Sequence, residues 1–212
     1  LIELLHTATL VHDDVVDRAE TRRGFFSINA LWKSKIAVLV GDYLLSRGLL
    51  ISIERDGVDL LRITSKAVEL MSEGELLQIE KARRLDITET VYFDIIRRKT
   101  ASLIAACCAA GSASTGADKE QVECMRAFGE AVGIAFQIKD DLLDFAPTSA
   151  TGKPKGGDLK ERKMTLPLIH TLQMQTAGER RRMIRDIKRS AERPDVAAKL
   201  LLEIQSGPGI QY

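Results

Sequence analysis

Apolar residues recur at helical rather than alternating intervals along nearly the whole chain, beginning with Leu1, Leu4, Leu5, Ala8 and then Val11 or Val15. This spacing predicts a first helix over residues 1 to about 18, ending in the charged loop Arg18-Ala19-Glu20-Thr21-Arg22-Arg23-Gly24. The apolar stretch from Ile36 to Ile53 predicts a second, long and largely buried helix, closed by a turn at Arg55-Asp56-Gly57. Further helical patterns run at about 58–81, 88–111, 118–146, 164–175, 177–191 and 195–206, with breaks at Asp86, Gly116, Pro147, Gly178 and Pro194. No segment reads as a strand, so the expected fold class is all-α. The single extended Gly/Pro-rich stretch, Ala146 to Asp158, separates two helices rather than two domains, and a loop of that length in a small domain is often functional.

Length and charge narrow the classes without choosing among them. At 212 residues and 45% hydrophobic content the expectation is one domain, residues 1–212; its opening inside an apolar run, with no helix cap, reads as a domain lacking helices at both ends. Lys plus Arg (31) nearly cancels Asp plus Glu (30), which argues against a nucleic-acid partner. Cys107, Cys108 and Cys124 lack metal or redox spacing and read as buried thiols of a reducing compartment. With no signal-like leader and no uninterrupted apolar run of about 18 residues, the expected location is cytoplasmic, without a transmembrane segment.

One short pattern occurs twice. Asp13, Asp14 and Asp17 form DDxxD in His12-Asp13-Asp14-Val15-Val16-Asp17, and Asp140, Asp141 and Asp144 repeat it in Asp140-Asp141-Leu142-Leu143-Asp144, each at a helix end. Residues three and four apart share a helix face, so each triplet sets carboxylates within reach of one cation. A few hard oxygen ligands, with room for water and phosphate, suit magnesium bound jointly with a diphosphate rather than zinc or a closed calcium cage. The apolar flanks would bury part of each cluster, and unpaired buried charge costs several kcal/mol, so a purely structural role is disfavoured. His6, His12 and His170 are irregularly spaced and make no zinc motif.

Basic residues accompany the triplets. Arg22 and Arg23 follow the first, and a guanidinium fork matches phosphate oxygens. Lys99 and Thr100 precede the small-residue run Ala105-Ala106-Cys107-Cys108-Ala109-Ala110. Lys153 lies on the Gly/Pro-rich loop, where a cation can close over a bound diphosphate and exclude water, and Lys155, Lys160 and Lys163 make that region locally basic.

Taken in order, these residues resemble the trans-isoprenyl (polyprenyl) diphosphate synthases over nearly the whole chain: the first triplet with Arg22-Arg23-Gly24, then Gly41-Asp42-Tyr43, Gly74-Glu75 with Gln78, Lys99-Thr100-Ala101, Phe136-Gln137 with the second triplet, Thr151-Gly152-Lys153, and Lys163-Met164-Thr165-Leu166-Pro167. The resemblance implies a bundle of mostly antiparallel helices with the triplets facing across a deep cavity, usually in a homodimer. It implies an Mg2+-dependent prenyltransferase acting on an allylic prenyl diphosphate and isopentenyl diphosphate, with three ions held by the two triplets. By the same carry-over Arg22, Lys99 and Lys153 hold the allylic diphosphate, Lys163 adds to substrate binding, Arg23 and Phe136 face isopentenyl diphosphate, and Thr100 and Gln137 stabilise the allylic cation.

In such enzymes the residues one turn before the first triplet line the tunnel that receives the growing tail. Here they are the small Ala8 and Thr9, which implies a long-chain product of the kind used for quinone side chains, whose greasiness would allow transient membrane contact. Two alternatives remain: a non-catalytic partner subunit, which would commonly lose one triplet, and a terpene cyclase, which would usually carry an Asn/Ser/Glu-type second motif.

Overall fold

Where apolar residues fall three and four apart, the computed structural model of the chain forms helices; it describes residues 1–17, 19–22, 24–54, 57–85, 87–146, 157–160 and 163–212. The order is α1 (Ile2–Val16), β1 (Thr21–Arg22), β2 (Phe25–Phe26), α2 (Ile28–Glu54), α3 (Val58–Arg84), α4 (Glu89–Ile96), a π-helical turn (Arg97–Ala101), α5 (Ser102–Ser114), α6 (Lys119–Asp144), α7 (Gly157–Lys160), α8 (Leu166–Gln173), α9 (Ala177–Ser190), α10 (Pro194–Gln205) and a 3-10 turn (Pro208–Ile210). The all-α class holds. One departure is a two-residue antiparallel ladder, Thr21 with Phe26 and Arg22 with Phe25, turned by Gly24 at φ 83; it is too short to leave an alternation signal. The helix expected over 177–191 starts at Ala177 in α9, where Thr176 and Glu179 form a reciprocal capping box.

The chain divides into two compact units, one of Leu1–Glu69 with Ala106–Arg126, the other of Leu70–Ala105 with Ala127–Tyr212. In the first, α1 packs on α2 through a stripe of small residues. Ala37, Gly41, Gly48 and Ser52 are the buried positions of α2; a Cβ on Gly48 would lie 3.1 Å from Leu5 Cδ2, and one on Gly41 would collide with the His12 ring. These glycines allow close helix approach.

The expectation of a largely buried second helix is not met. Ile36, Leu39, Tyr43 and Leu50, on the face opposite the small residues, are 43%, 63%, 67% and 49% exposed. Only one stripe of α2 finds a partner in its own unit. By length and composition alone α2 is apolar enough to cross a membrane, with a mean hydropathy of 1.7 over its most apolar part, while Asp42 and Arg47 interrupt its apolar run. The thiols also differ from expectation, since Cys107 and Cys124 are exposed and Cys108 half-buried. In α5 the buried positions go to Ala105, Ala106, Ala109 and Ala110, leaving the cysteines on the other side.

The second unit holds the apolar core. Tyr92, Ile95 and Ile96 of α4 cluster with Leu168, Ile169 and Leu172 of α8, Met183 and Ile187 of α9, and Leu200 and Ile204 of α10. Each helix contributes residues at three- and four-residue intervals, and each fully buried side chain of this size contributes about 1.5–3 kcal/mol. Two glycines let backbone close on the π-helical turn. A Cβ at Gly74 of α3 would stand 2.7 Å from Lys99 N, and one at Gly133 of α6 would stand 2.5 Å from Ala101 Cα. The turn carrying Lys99 and Thr100 is thereby held from both sides, and π-helical turns inside α-helices are frequent at functional sites.

Candidate active site

The first triplet occupies the last turn of α1. Asp14 is 4% exposed, and its Oδ1 accepts hydrogen bonds from both Nε and Nη2 of Arg22, each at 2.7 Å. Its backbone carbonyl accepts from Ala19 N at 3.0 Å and from Asn29 Nδ2 at 3.4 Å, fixing the helix exit. Asp17 is the C-terminal cap residue, its N–H donating to Asp13 O at 2.8 Å. His12 Nε2 lies 3.2 Å from Asp42 Oδ1 and 3.3 Å from Val38 O, in the space that Gly41 leaves open. The Gly41-Asp42 pair therefore steadies the residue before the triplet.

Asp14, expected as a metal ligand, and Arg22, expected on a diphosphate, are engaged with each other here, because a buried carboxylate needs a charged donor. Arg23 lies outside the described residues. Of the two small residues expected along the tunnel, Ala8 is 1% exposed, lying between Leu5 and His12 on the row that meets α2. Thr9 is half-buried, one turn before Asp13 on that residue's row, and its hydroxyl donates to His6 O at 2.8 Å.

The second triplet closes α6. Asp141 is 1% exposed; its Oδ2 accepts from Tyr92 OH at 2.7 Å and from Leu166 N at 3.2 Å, and its Oδ1 accepts from Gln137 Nε2 at 3.0 Å. Leu166 opens α8, and its N-cap Thr165 makes no side-chain cap bond. A carboxylate from another helix thus satisfies an orphan N–H at the positive end of α8, which gives Thr165-Leu166-Pro167 a physical meaning. Burial pushes Asp141 above the ordinary carboxylate range, and the bonds from Tyr92 and Gln137, the Lys163 charge and the Leu166 N–H only partly offset it. Burial first, then the Asp141 carboxylate, raises the Tyr92 phenol, which stays a donor.

Asp144 Oδ1 accepts from Gly157 N at 3.1 Å, while its Oδ2 is buried without a hydrogen-bond partner. Burial, and then the charge of Asp158, push Asp144 up. Lys163 donates to Asp158 Oδ1 at 3.1 Å. Its burial works to lower its pKa, but Asp158, Asp141 and Asp140 outweigh that and hold it above the ordinary lysine range. Lys163, expected on substrate, here offsets three carboxylates.

The π-helical turn supplies the remaining groups. Lys99 is ion-paired with Glu75 and stands 3.4 Å from Gln78 Oε1, so Gly74-Glu75 with Gln78 forms a tether for that lysine. Thr100 Oγ1 donates to Gln137 Oε1 at 3.0 Å. Phe136 is 59% exposed and takes no part in the core. Lys153 lies outside the described residues. Sequence reasoning missed Tyr92 and Asp158; Tyr92, within Val91-Tyr92-Phe93, carries no local signal because its partner is 49 residues away.

The match to the polyprenyl synthetase family runs over residues 1–204. The chain belongs to this family. It is 44% identical, over 87% of its own length, to the all-trans-nonaprenyl-diphosphate synthase (geranyl-diphosphate specific) of Rhodobacter capsulatus, and 42% identical, over 81%, to heptaprenyl diphosphate synthase component 2 of Geobacillus stearothermophilus. It covers 57% and 54% of those relatives, so it spans little more than half their length. Among solved structures, a decaprenyl diphosphate synthase from Rhodobacter capsulatus superposes at TM-score 0.91 with 38% identity, over 99% of this chain and 65% of that one. A polyprenyl synthase from Caulobacter crescentus CB15, complexed with calcium and isoprenyl diphosphate, superposes at 0.89 with 36% identity, over 99% and 64%. The helical architecture is therefore that of polyprenyl synthases.

Proposed function

We propose that the protein containing this chain is a trans-prenyltransferase that condenses an allylic diphosphate with isopentenyl diphosphate and releases a long-chain polyprenyl diphosphate. The observation that carries this reading is the pair of aspartate triplets. In each, the middle carboxylate is engaged by the protein, Asp14 by Arg22 and Asp141 by Tyr92, Gln137 and Leu166 N. The flanking aspartates lie four residues apart on one helix row, in reach of a common cation.

The residues suit magnesium. Asp144 Oδ2 is buried and unpartnered, and the charge of Asp158 bears on it. Among the described residues no three His, Cys, Asp or Glu side chains form a ready metal cluster, so substrate oxygens and water would have to complete the coordination. In the first unit Asp13 and Asp17, and in the second Asp140 and Asp144, would each hold metal, whose charge would neutralise diphosphate as a leaving group. Three ions follow from the family resemblance.

Lys99, tethered by Glu75, binds diphosphate oxygens together with Lys153; in the first unit Arg22 does so on exchanging Asp14 for phosphate. Arg23 and Phe136 face isopentenyl diphosphate, and Lys163 balances Asp158, Asp141 and Asp140. The oxygens of Thr100 and Gln137 act as preorganised dipoles toward the allylic cation. Departing pyrophosphate takes the final proton, so no protein base is assigned. The small Thr9 one turn before Asp13 leaves space for a lengthening tail, and the nonaprenyl, heptaprenyl and decaprenyl products in the relatives' names support a long-chain outcome.

The test is incubation with Mg2+, farnesyl diphosphate and labelled isopentenyl diphosphate, with products sized by chromatography, on this chain and on a version extended to its native ends. Long-chain products support the reading. Condensation by neither version overturns it and favours a partner-subunit role, a second reading kept because one relative is named as a component.

Magnesium and pH should act together on stability. Asp144 has a raised folded-state pKa, so the folded state holds its proton more tightly than the unfolded chain does. Its contribution falls as pH rises from the ordinary carboxylate range through that raised value. A metal replaces the lost proton. Mg2+ is expected to raise Tm by about 3 °C or more at pH 7.5 and by about 1 °C or less at pH 5; equal shifts at both would count against the assignment.

We assign the exposed α2 face to a second copy of the chain, giving a homodimer, and a cytoplasmic location with transient contact of the product end with membrane. Four large apolar side chains along one helix face, 43–67% exposed, are more than isolated surface residues. Light scattering during gel filtration should give a dimer for the wild type and a monomer for Leu39→Glu. A monomeric wild type would remove this assignment.

A further inference from the structure

Gln137 can stabilise a cation only if its amide presents oxygen rather than nitrogen. Its Nε2 donates to Asp141 Oδ1 at 3.0 Å, while its Oε1 accepts from Thr100 Oγ1 at 3.0 Å. A carboxylate only accepts, so Asp141 takes the donor end of the amide and turns the carbonyl the other way. Asp141 is itself clamped through its other oxygen, by Tyr92 OH at 2.7 Å and Leu166 N at 3.2 Å. Tyr92 is 4% exposed and sits on α4, and its ring meets Phe93 edge to face at 5.4 Å, so its hydroxyl is held in place by the core.

We propose that Tyr92 is a positioning residue: by clamping Asp141 it fixes the orientation of the Gln137 amide, so that the carbonyl oxygen lies on the Thr100 side. This rests on the prenyltransferase reading, under which a carbonyl dipole favours the developing allylic cation and an amide NH2 would oppose it. Tyr92 touches no substrate and acts only through Asp141 and Gln137.

Two variants test it from opposite directions. Tyr92→Phe keeps the ring and removes the hydroxyl, loosening the clamp. Asp141→Asn keeps an oxygen for Tyr92 and Leu166 N but turns an NH2 toward Gln137, which must then reverse its amide. For both, kcat is expected to fall about tenfold or more with KM for the allylic diphosphate within about twofold. In 15N NMR the Gln137 side-chain amide should show two separate, slowly exchanging proton signals in the wild type. These should broaden or move in Tyr92→Phe and shift to a new pair in Asp141→Asn. Adding Tyr92→Phe to Gln137→Leu should cost no further kcat, because the residue it acts through is gone. Independent, multiplying losses, or a lowered Tm with kcat and the Gln137 signals unchanged, would overturn the proposal. If the wild type condenses nothing, the prenyltransferase reading fails, and unchanged Gln137 signals in both variants would still overturn the clamp by itself.

Discussion

Asp140→Ala is expected to lower the condensation kcat by at least about 10³-fold while leaving the urea midpoint unmoved. Asp140 is half-buried and heads the second triplet. Its charge bears on Lys163 and Tyr92, but it is not among the groups that close α6 onto α8. Its expected work is on the metal and diphosphate, so its removal should fall on the chemical step. Product formation at saturating substrate, measured beside urea unfolding on the same preparation, separates the two effects. Activity within about tenfold of wild type would deny Asp140 a metal-binding role.

The neighbouring Asp141→Leu should show the reverse emphasis, with a loss of about 2–4 kcal/mol in unfolding free energy. Leucine fills a similar volume but offers no acceptor. Tyr92 OH and Leu166 N would lose their partner in a site that is 1% exposed, and α8 would lose its cap. Part of this loss is returned, because burial already penalises the Asp141 carboxylate and pushes its pKa up. Urea titration is the measurement. A change below about 0.5 kcal/mol would show that the Asp141 network contributes nothing net to the fold. Adjacent aspartates of one motif would then be told apart by stability and activity, a division that the DDxxD pattern does not reveal.

Several roles were open to reading in the chain because they depend on local spacing. Helices at 3.6-residue periodicity, the placement of each triplet at a helix end and the grouping of Lys99 with Thr100 all follow from residues within a turn or two of one another. The same locality explains the misjudged exposures. Apolar content marks Ile36, Leu39 and Tyr43 as residues that need covering, but it does not say which element covers them. The cysteines fail for a related reason, since alanines occupy the buried phase of α5.

By itself the sequence determined the all-α class, the approximate helix boundaries, the family and the carboxylate and basic residues available for diphosphate chemistry. All of these are carried by residue type and short-range period. Only the tertiary structure decided that Arg22 faces Asp14, that Glu75 tethers Lys99, and that Tyr92 reaches Asp141 across 49 residues. Those choices are made by side chains distant in sequence that meet when helices pack, where a buried carboxylate must find donors and a glycine lets two backbones close.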